Sequence, residues 1–249
     1  MGRAVVRLAH AEGMEIVCAV GSTEIERELR ELAGPGALFG AGVAGLATIE
    51  QARADVVVDF SVHGVTLALA PIAAAAGCAL VSGTTGLGED VREAFDRAAS
   101  RVPVLWEPNM SLGVHVLTEL VGRAAAVLAD WDAEIVETHH RHKVDAPSGT
   151  ALRLADTVLL ARPAATRLVH GREGKPGARE AGEIGMHALR GGDVVGDHAV
   201  HLLGDGERLE LVHRATSRDV FAHGALRAAQ WILGRPPGRY TLRDVLGSA

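Results

Sequence analysis

Short apolar runs alternating with helical patterns occupy the first half of the chain, and this alternation constrains the fold more than any other feature. The runs EIVCAV (15–20), DVVVDF (55–60), 79–82 and PVLW (103–106) are too short for helices and mostly rich in β-branched residues. Helix-period segments lie at 2–12, 64–76 and 88–100. Such alternation specifies a parallel sheet with helices on both faces. Between the first two runs the chain reads as a loop and a short helix, ending near residue 53. The part from Gly34 to Gly45 carries five glycines and predicts a mobile surface loop.

After Pro108 the pattern changes. A helix over 111–129 leads to a strand over 133–140, a loop, and a helix over 148–161. Three strand-like runs follow at 184–190, 194–203 and 207–215, and the pairs Gly191-Gly192 and Asp205-Gly206 between them predict hairpins. A last helix, 219–233, with Trp231 and Leu233 on its apolar side, is expected to return to the first domain. The fold expected is α/β: a Rossmann-like doubly wound parallel sheet, plus an α+β domain with a mostly antiparallel sheet for substrate binding and oligomerisation. The boundaries predicted are 1–110 with 217–249, and 111–216.

The chain's 249 residues suffice for two modest domains, and a net charge of −6 without long like-charge runs argues against nucleic acid or a membrane surface as partner. Cys18 and Cys78 lie far apart in apolar contexts, as buried reduced thiols do, which fits a cytoplasm. The most apolar window, Val65 to Val81, is alanine-rich and broken by Pro71 and Gly77, so no membrane span is expected. Nor does an apolar segment follow Arg3 and Arg7 as in a signal peptide.

The chemistry concentrates in ETHHRHKVDAPSGTALRLAD, Glu137 to Asp156. Alternate strand residues face opposite sides, so His139 and His140 border one cleft only if the strand ends there. Lys143 follows in a loop as a charge clamp or proton donor. Ser148 is placed to cap a helix whose amides at Gly149 and Thr150 form an anion site, with glycine allowing close approach. Two imidazoles, an ammonium and helix-terminal amides suit a dianion, and an imidazole can deliver a proton near neutral pH. Bland readings compete. Any one of the 12 histidines is more often structural or surface, and His10, His115, His170, His187 and His213 are read so. His140-x-His142 resembles a zinc pair, but no Cys or acidic ligand stands at a telling distance, so no metal is expected. Capping explains Ser148 more simply than nucleophilic attack.

The run from Glu137 to Ala151 resembles the signature of the dihydrodipicolinate reductases, also called 4-hydroxy-tetrahydrodipicolinate reductases. DFSVHGVTL (59–67), GTTG (83–86), PNMSLGV (108–114), LRGGDVVGDH (189–198) and ATSRDVFAHGAL (215–226) extend the resemblance across the chain in the family's order. The resemblance implies His139 as general acid or base and Lys143 as second proton donor. It implies that His140, Ser148, Gly149 and Thr150 hold the substrate carboxylates. Gly83, Thr84, Thr85, Pro108, Asn109 and Met110 would line the nicotinamide side of the cofactor, NADH or NADPH. The activity implied is reduction of 4-hydroxy-tetrahydrodipicolinate, a small cyclic dicarboxylate, in lysine and diaminopimelate biosynthesis, by a cytoplasmic homotetramer.

The chain departs from that pattern at its start, which reads M-G-R where the family has an apolar strand and a glycine-rich turn before the helix. About 15 residues, one strand and its phosphate-binding turn, are expected to be missing. In the doubly wound order that strand lies between runs 15–20 and 55–60, which stand about 9.6 Å apart, two strand spacings, unless other parts of the chain fill the slot and the two runs become direct hydrogen-bonded neighbours. A non-catalytic dicarboxylate-binding or assembly subunit is the alternative function. A dehydrogenase acting on a semialdehyde or amino acid is a third. Val20-Gly21-Ser22 stands where an acidic residue would grip a ribose, so charge does not select NAD or NADP. Met110 replaces a common aromatic and is expected to pack on the nicotinamide.

Overall fold

The structure, a computed structural model, describes residues 1–162 and 167–247. In chain order it runs α1 (Gly2–Ala9), β1 (Cys18–Gly21), α2 (Glu26–Ala33), β2 (Leu38–Ala41), α3 (Thr48–Ala52), β3 (Val56–Asp59), α4 (His63–Ala76), β4 (Ala79–Ser82), α5 (Glu89–Ala99) and β5 (Pro103–Trp106). There follow α6 (Leu112–Val127), β6 (Asp132–His139), α7 (Gly149–Ala161), β7 (Arg167–His170), β8 (Glu183–Arg190), β9 (Gly196–Gly204), β10 (Glu207–Ala215), α8 (Asp219–Ile232), β11 (Gly238–Tyr240) and α9 (Leu242–Leu246). Two units result, 1–112 with 219–249, and 113–218.

In the first unit four parallel strands lie in the order β11-β5-β4-β3. All four residues of β4 are buried, as expected of a strand covered on both faces. Its alternation divides the core: Leu80 packs with Leu69 and Ala73 of α4 and Val91 and Phe95 of α5, while Ala79 and Val81 pack with Ala225, Ala228 and Ile232 of α8. Helix α4 stops at Gly77, whose φ of +73° is unfavourable for a residue with a Cβ. Glu89 and Asp90 open α5, where carboxylates complement the helix dipole.

Strands β1 and β2 form a separate parallel pair. Among the described residues β1 bonds only β2, and β3 bonds only β4, so runs 15–20 and 55–60 are not hydrogen-bonded neighbours. No described strand fills the slot between them. Val56, Val57 and Val58 are accordingly half-buried, unlike the residues of β4. Helix α1 touches both sheets' cores: Val6 packs with Ala19 and Leu29, and Val5 and Ala9 with Val58 and Phe60.

The glycine-rich segment 34–45 corrects the sequence reading. It contains β2, not only a mobile loop, and its glycines serve packing: a Cβ on Gly40 would lie 2.2 Å from the Gly45 carbonyl oxygen. Strands β7 and β11 and helix α9 were also not foreseen, being short elements whose pairing and packing are non-local. Cys78 is buried but Cys18 only half-buried; both are free, and burial raises their pKa values.

The second unit holds a mixed five-stranded sheet, β10-β9-β6-β8-β7. Its β10–β9 and β9–β6 pairs are antiparallel, whereas β6–β8 and β8–β7 are parallel, so the antiparallel character expected covers half the ladder. Asp205-Gly206 turns a hairpin, with Gly204 opposite Glu207. Gly191-Gly192 does not, because β6 lies between β8 and β9. Helix α7 sets Ala151, Leu154, Ala155 and Val158 on one stripe against Ala133, Ile135, Ile184, Val200 and Leu202. The opposite sheet face carries Glu134, with Arg172, Arg179 and His187 on its carboxylate. Burial pushes Glu134 upward, but those hydrogen bonds outweigh it and bring its pKa to about 2. Among the described residues no helix is long and apolar enough to cross a membrane.

Candidate active site

Strand β6 ends at His139, so His140 lies outside the ladder and the alternation that would send the two rings to opposite faces stops there. Period 2 places Ala133, Ile135, Glu137 and His139 on the face toward α7. Register supplies the rest. Across β6–β9, Glu137 stands opposite His198; across β6–β8, His139 stands opposite Arg190.

Glu137, 1% exposed, is the centre of this group. Its Oε2 accepts from His139 Nδ1 (2.5 Å) and Arg190 Nη1 (2.9 Å); its Oε1 accepts from Arg190 Nη2 (2.8 Å) and the Ser148 amide (3.1 Å). Burial raises the carboxyl's pKa, but hydrogen bonds from Arg190, His139 and Ser148 outweigh it and leave a net lowering. Arg190 also donates to the Asp145 carbonyl, fixing the loop that precedes the cis Ala146–Pro147 bond.

Ser148 caps α7, its Oγ accepting from the Ala151 amide and pairing with His198 Nε2 at 3.1 Å. Gly149 leaves open space where a Cβ would stand. His198 is buried edge-on to His139, with ring centroids 5.2 Å apart. Burial, with the neighbouring His139, pushes its pKa down to about 4, so it is neutral near pH 7. Lys143 Nζ donates to both oxygens of Asp145 at 2.8 and 2.9 Å, which lowers that carboxyl's pKa. His140 Nδ1 is buried without a protein hydrogen bond.

Sequence reasoning missed Glu137, Arg190 and His198. Glu137 was the findable one, two residues before His139 on the same strand. The other two depend on register.

In the first unit Asp59, the last residue of β3, ties the loop after β3 to the first turn of α4, the end of β4 and the loop after β4. Its carboxylate accepts from the Ser61 amide and Oγ, and from the hydroxyls of Thr66, Ser82 and Thr84. Thr84 is therefore turned inward, and its carbonyl accepts from Trp106 Nε1. Gly83 passes under the Phe60 ring, where a Cβ would be 2.2 Å away. Thr85 and Pro108 are exposed and Asn109 half-exposed, whereas Met110 is 1% exposed and packs with Leu105 and Ala225. Exposed Thr85 and half-exposed Asn109 at strand carboxyl ends fit the nicotinamide end of a dinucleotide. Met110 and Thr84, expected to line the same end, are both buried, Met110 in the core with Leu105 and Ala225 and Thr84 on Asp59.

Two family profiles match the chain: "Dihydrodipicolinate reductase, N-terminus" over residues 1–110 and "Dihydrodipicolinate reductase, C-terminus" over 113–246. The chain is 49% identical over 254 residues to the 4-hydroxy-tetrahydrodipicolinate reductase of Anaeromyxobacter dehalogenans, covering 99% of this chain and 94% of the relative. It is 45% identical over 250 residues to that of Archaeoglobus fulgidus, covering 99% and 95%. A dipicolinate-bound dihydrodipicolinate reductase from Paenisporosarcina sp. TG-14 shares the fold, with TM-score 0.76 and 23% identity over 96% of this chain and 92% of the other.

Proposed function

The chain belongs to the dihydrodipicolinate reductase family, and from that premise we propose that it reduces 4-hydroxy-tetrahydrodipicolinate to tetrahydrodipicolinate in lysine and diaminopimelate biosynthesis. It is an oxidoreductase that uses a nicotinamide dinucleotide. The cofactor, NADH or NADPH, supplies a hydride when bound. Thr85, Pro108, Asn109 and the Gly83 turn hold its nicotinamide end, with Thr84 and Met110 behind them.

The chain's own task is to neutralise two carboxylates, orient the ring and deliver a proton. His140, the Ser148 cap and the amides of Gly149 and Thr150 receive the carboxylates. Lys143 exchanges Asp145 for a substrate carboxylate or donates a proton, and His139 transfers a proton at Nε2. The observation that carries this reading is the Glu137–His139 pair beside the capped end of α7. We read the assembly as a cytoplasmic homotetramer formed through the second unit's sheet, on which Leu189 and Val212 are exposed.

The test is oxidation of NADH or NADPH by the purified chain in the presence of the cyclic dicarboxylate, with the double variant His139→Gln/Lys143→Met. Wild-type turnover and near-complete loss in the variant are expected; equal turnover refutes the assigned roles. Dicarboxylate binding without cofactor oxidation would favour the binding-subunit alternative.

A further inference from the structure

We propose that Glu137 is the positioning residue for His139: it holds the imidazole with its proton on Nδ1, so that proton exchange with the ligand runs through Nε2, and it joins that ring to the cap of α7. The inference rests on the reading of His139 as the acid or base, and it identifies what fixes that group.

The argument begins with acceptor capacity. A carboxylate offers about four lone-pair positions and no donor. Glu137 receives four hydrogen bonds, from His139 Nδ1, both terminal nitrogens of Arg190 and the Ser148 amide. Its capacity is filled and it is 1% exposed, so it has no lone pair to offer a substrate. Its role is therefore exerted through His139. Because an ionised carboxylate only accepts, the 2.5 Å contact requires a proton on His139 Nδ1. The neutral ring then has its lone pair on Nε2, and the protonated ring donates from Nε2. When that proton leaves, the N–H electron pair stays on Nε2 and the Nδ1–H bond is unchanged; Glu137 gains no proton.

The surroundings fit this arrangement. Arg190 grips Glu137 bidentately, so the carboxylate cannot rotate away from the ring. Gly196 leaves room at the working edge: a Cβ there would lie 2.9 Å from His139 Nε2. Neutral His198 beside His139 places no second positive charge against the ring. The same carboxylate holds the Ser148 amide, so the proton-transfer ring and the start of the anion-binding helix share one anchor.

The first measurement needs no variant: long-range ¹H–¹⁵N correlation spectra of the ¹⁵N-labelled chain, with His139 assigned by loss of its signals in His139→Gln. The neutral ring is expected as the Nδ1–H tautomer, and an Nε2–H tautomer overturns the proposal. In Glu137→Gln the tautomer preference is expected to relax and kcat to fall about 10- to 100-fold, the range typical for loss of an orienting partner, with KM within about twofold. Glu137→Asp, which keeps the charge, should recover part of both. A Glu137→Gln chain that keeps wild-type tautomer and kcat refutes the positioning role. If His139→Gln itself turns over normally, the parent reading of His139 fails, while the wild-type spectrum still decides what Glu137 does to the ring.

Discussion

Replacing Asp59 by alanine removes the acceptor that binds the loops after β3 and β4, with Thr66 of α4 and Ser82 of β4, to one point. Five hydrogen bonds disappear, from the Ser61 amide and Oγ and the hydroxyls of Thr66, Ser82 and Thr84 at 2.5–3.0 Å. Those of Ser61 are worth little, because that residue is exposed and water replaces the lost partner. Thr66, Ser82 and Thr84 are 3% exposed or less, so water does not reach them easily. A hydrogen bond to a charged group contributes about 1.5–3 kcal/mol, and hydroxyl rotation recovers part of three such losses, giving about 3–5 kcal/mol of destabilisation. Asparagine is milder. Its carbonyl still serves Ser61, while its NH₂ meets hydroxyls that can turn to accept, so about 1–2 kcal/mol is expected. Amide hydrogen exchange in β3 and β4 reads the effect locally, the Gly83 amide bonded to the Asp59 carbonyl being a convenient probe. A loss under about 1 kcal/mol for alanine, or equal losses for alanine and asparagine, would refute the hydrogen-bond reasoning.

Three further outcomes are expected. Arg162 is 4% exposed and donates to the carbonyls of Ala125 in the last turn of α6 and of Leu128 and Trp131 just past it, so Arg162→Met should destabilise the second unit by about 3–5 kcal/mol in urea titration, and Arg162→Lys by less, since an ammonium cannot span all three. Gly196→Ala should lower kcat and also the melting temperature, because its Cβ would lie 2.9 Å from Nε2 of a His139 ring that Glu137 holds in place; wild-type kcat in this variant refutes the packing argument. His198 has its pKa depressed from 6.5 to about 4. The unfolded chain therefore binds this proton first as pH falls, and His198 should cost up to about 3 kcal/mol of stability between pH 6.5 and 4. Denaturation midpoints measured across that window should flatten in His198→Gln; an unchanged slope refutes the assignment.

Local periodicity carried much of the reading. The runs DVVVDF, 79–82 and PVLW are strands β3, β4 and β5, and helices α4, α5, α7 and α8 lie within two residues of their expected ends. Their patterns depend on neighbours three or four positions away, which sequence displays directly. The segment 34–45 misled because glycine signals both mobility and close backbone approach, and only the Gly40–Gly45 contact distinguishes the two. Gly191-Gly192 misled because a turn signal marks a change of direction without saying which strand lies alongside.

By itself the sequence determined the chemistry of the motif: His139, His140, Lys143 and the Ser148 cap are fixed by adjacency along 137–150, and no folding partner is needed to recognise them. What only the tertiary structure decided is which groups control them. Arg190 meets His139 through the parallel β6–β8 register and His198 meets Glu137 through the antiparallel β6–β9 register. A shift of one residue in either ladder would turn these side chains to the opposite face, and such register is set by packing across the whole sheet, which no short stretch of sequence contains.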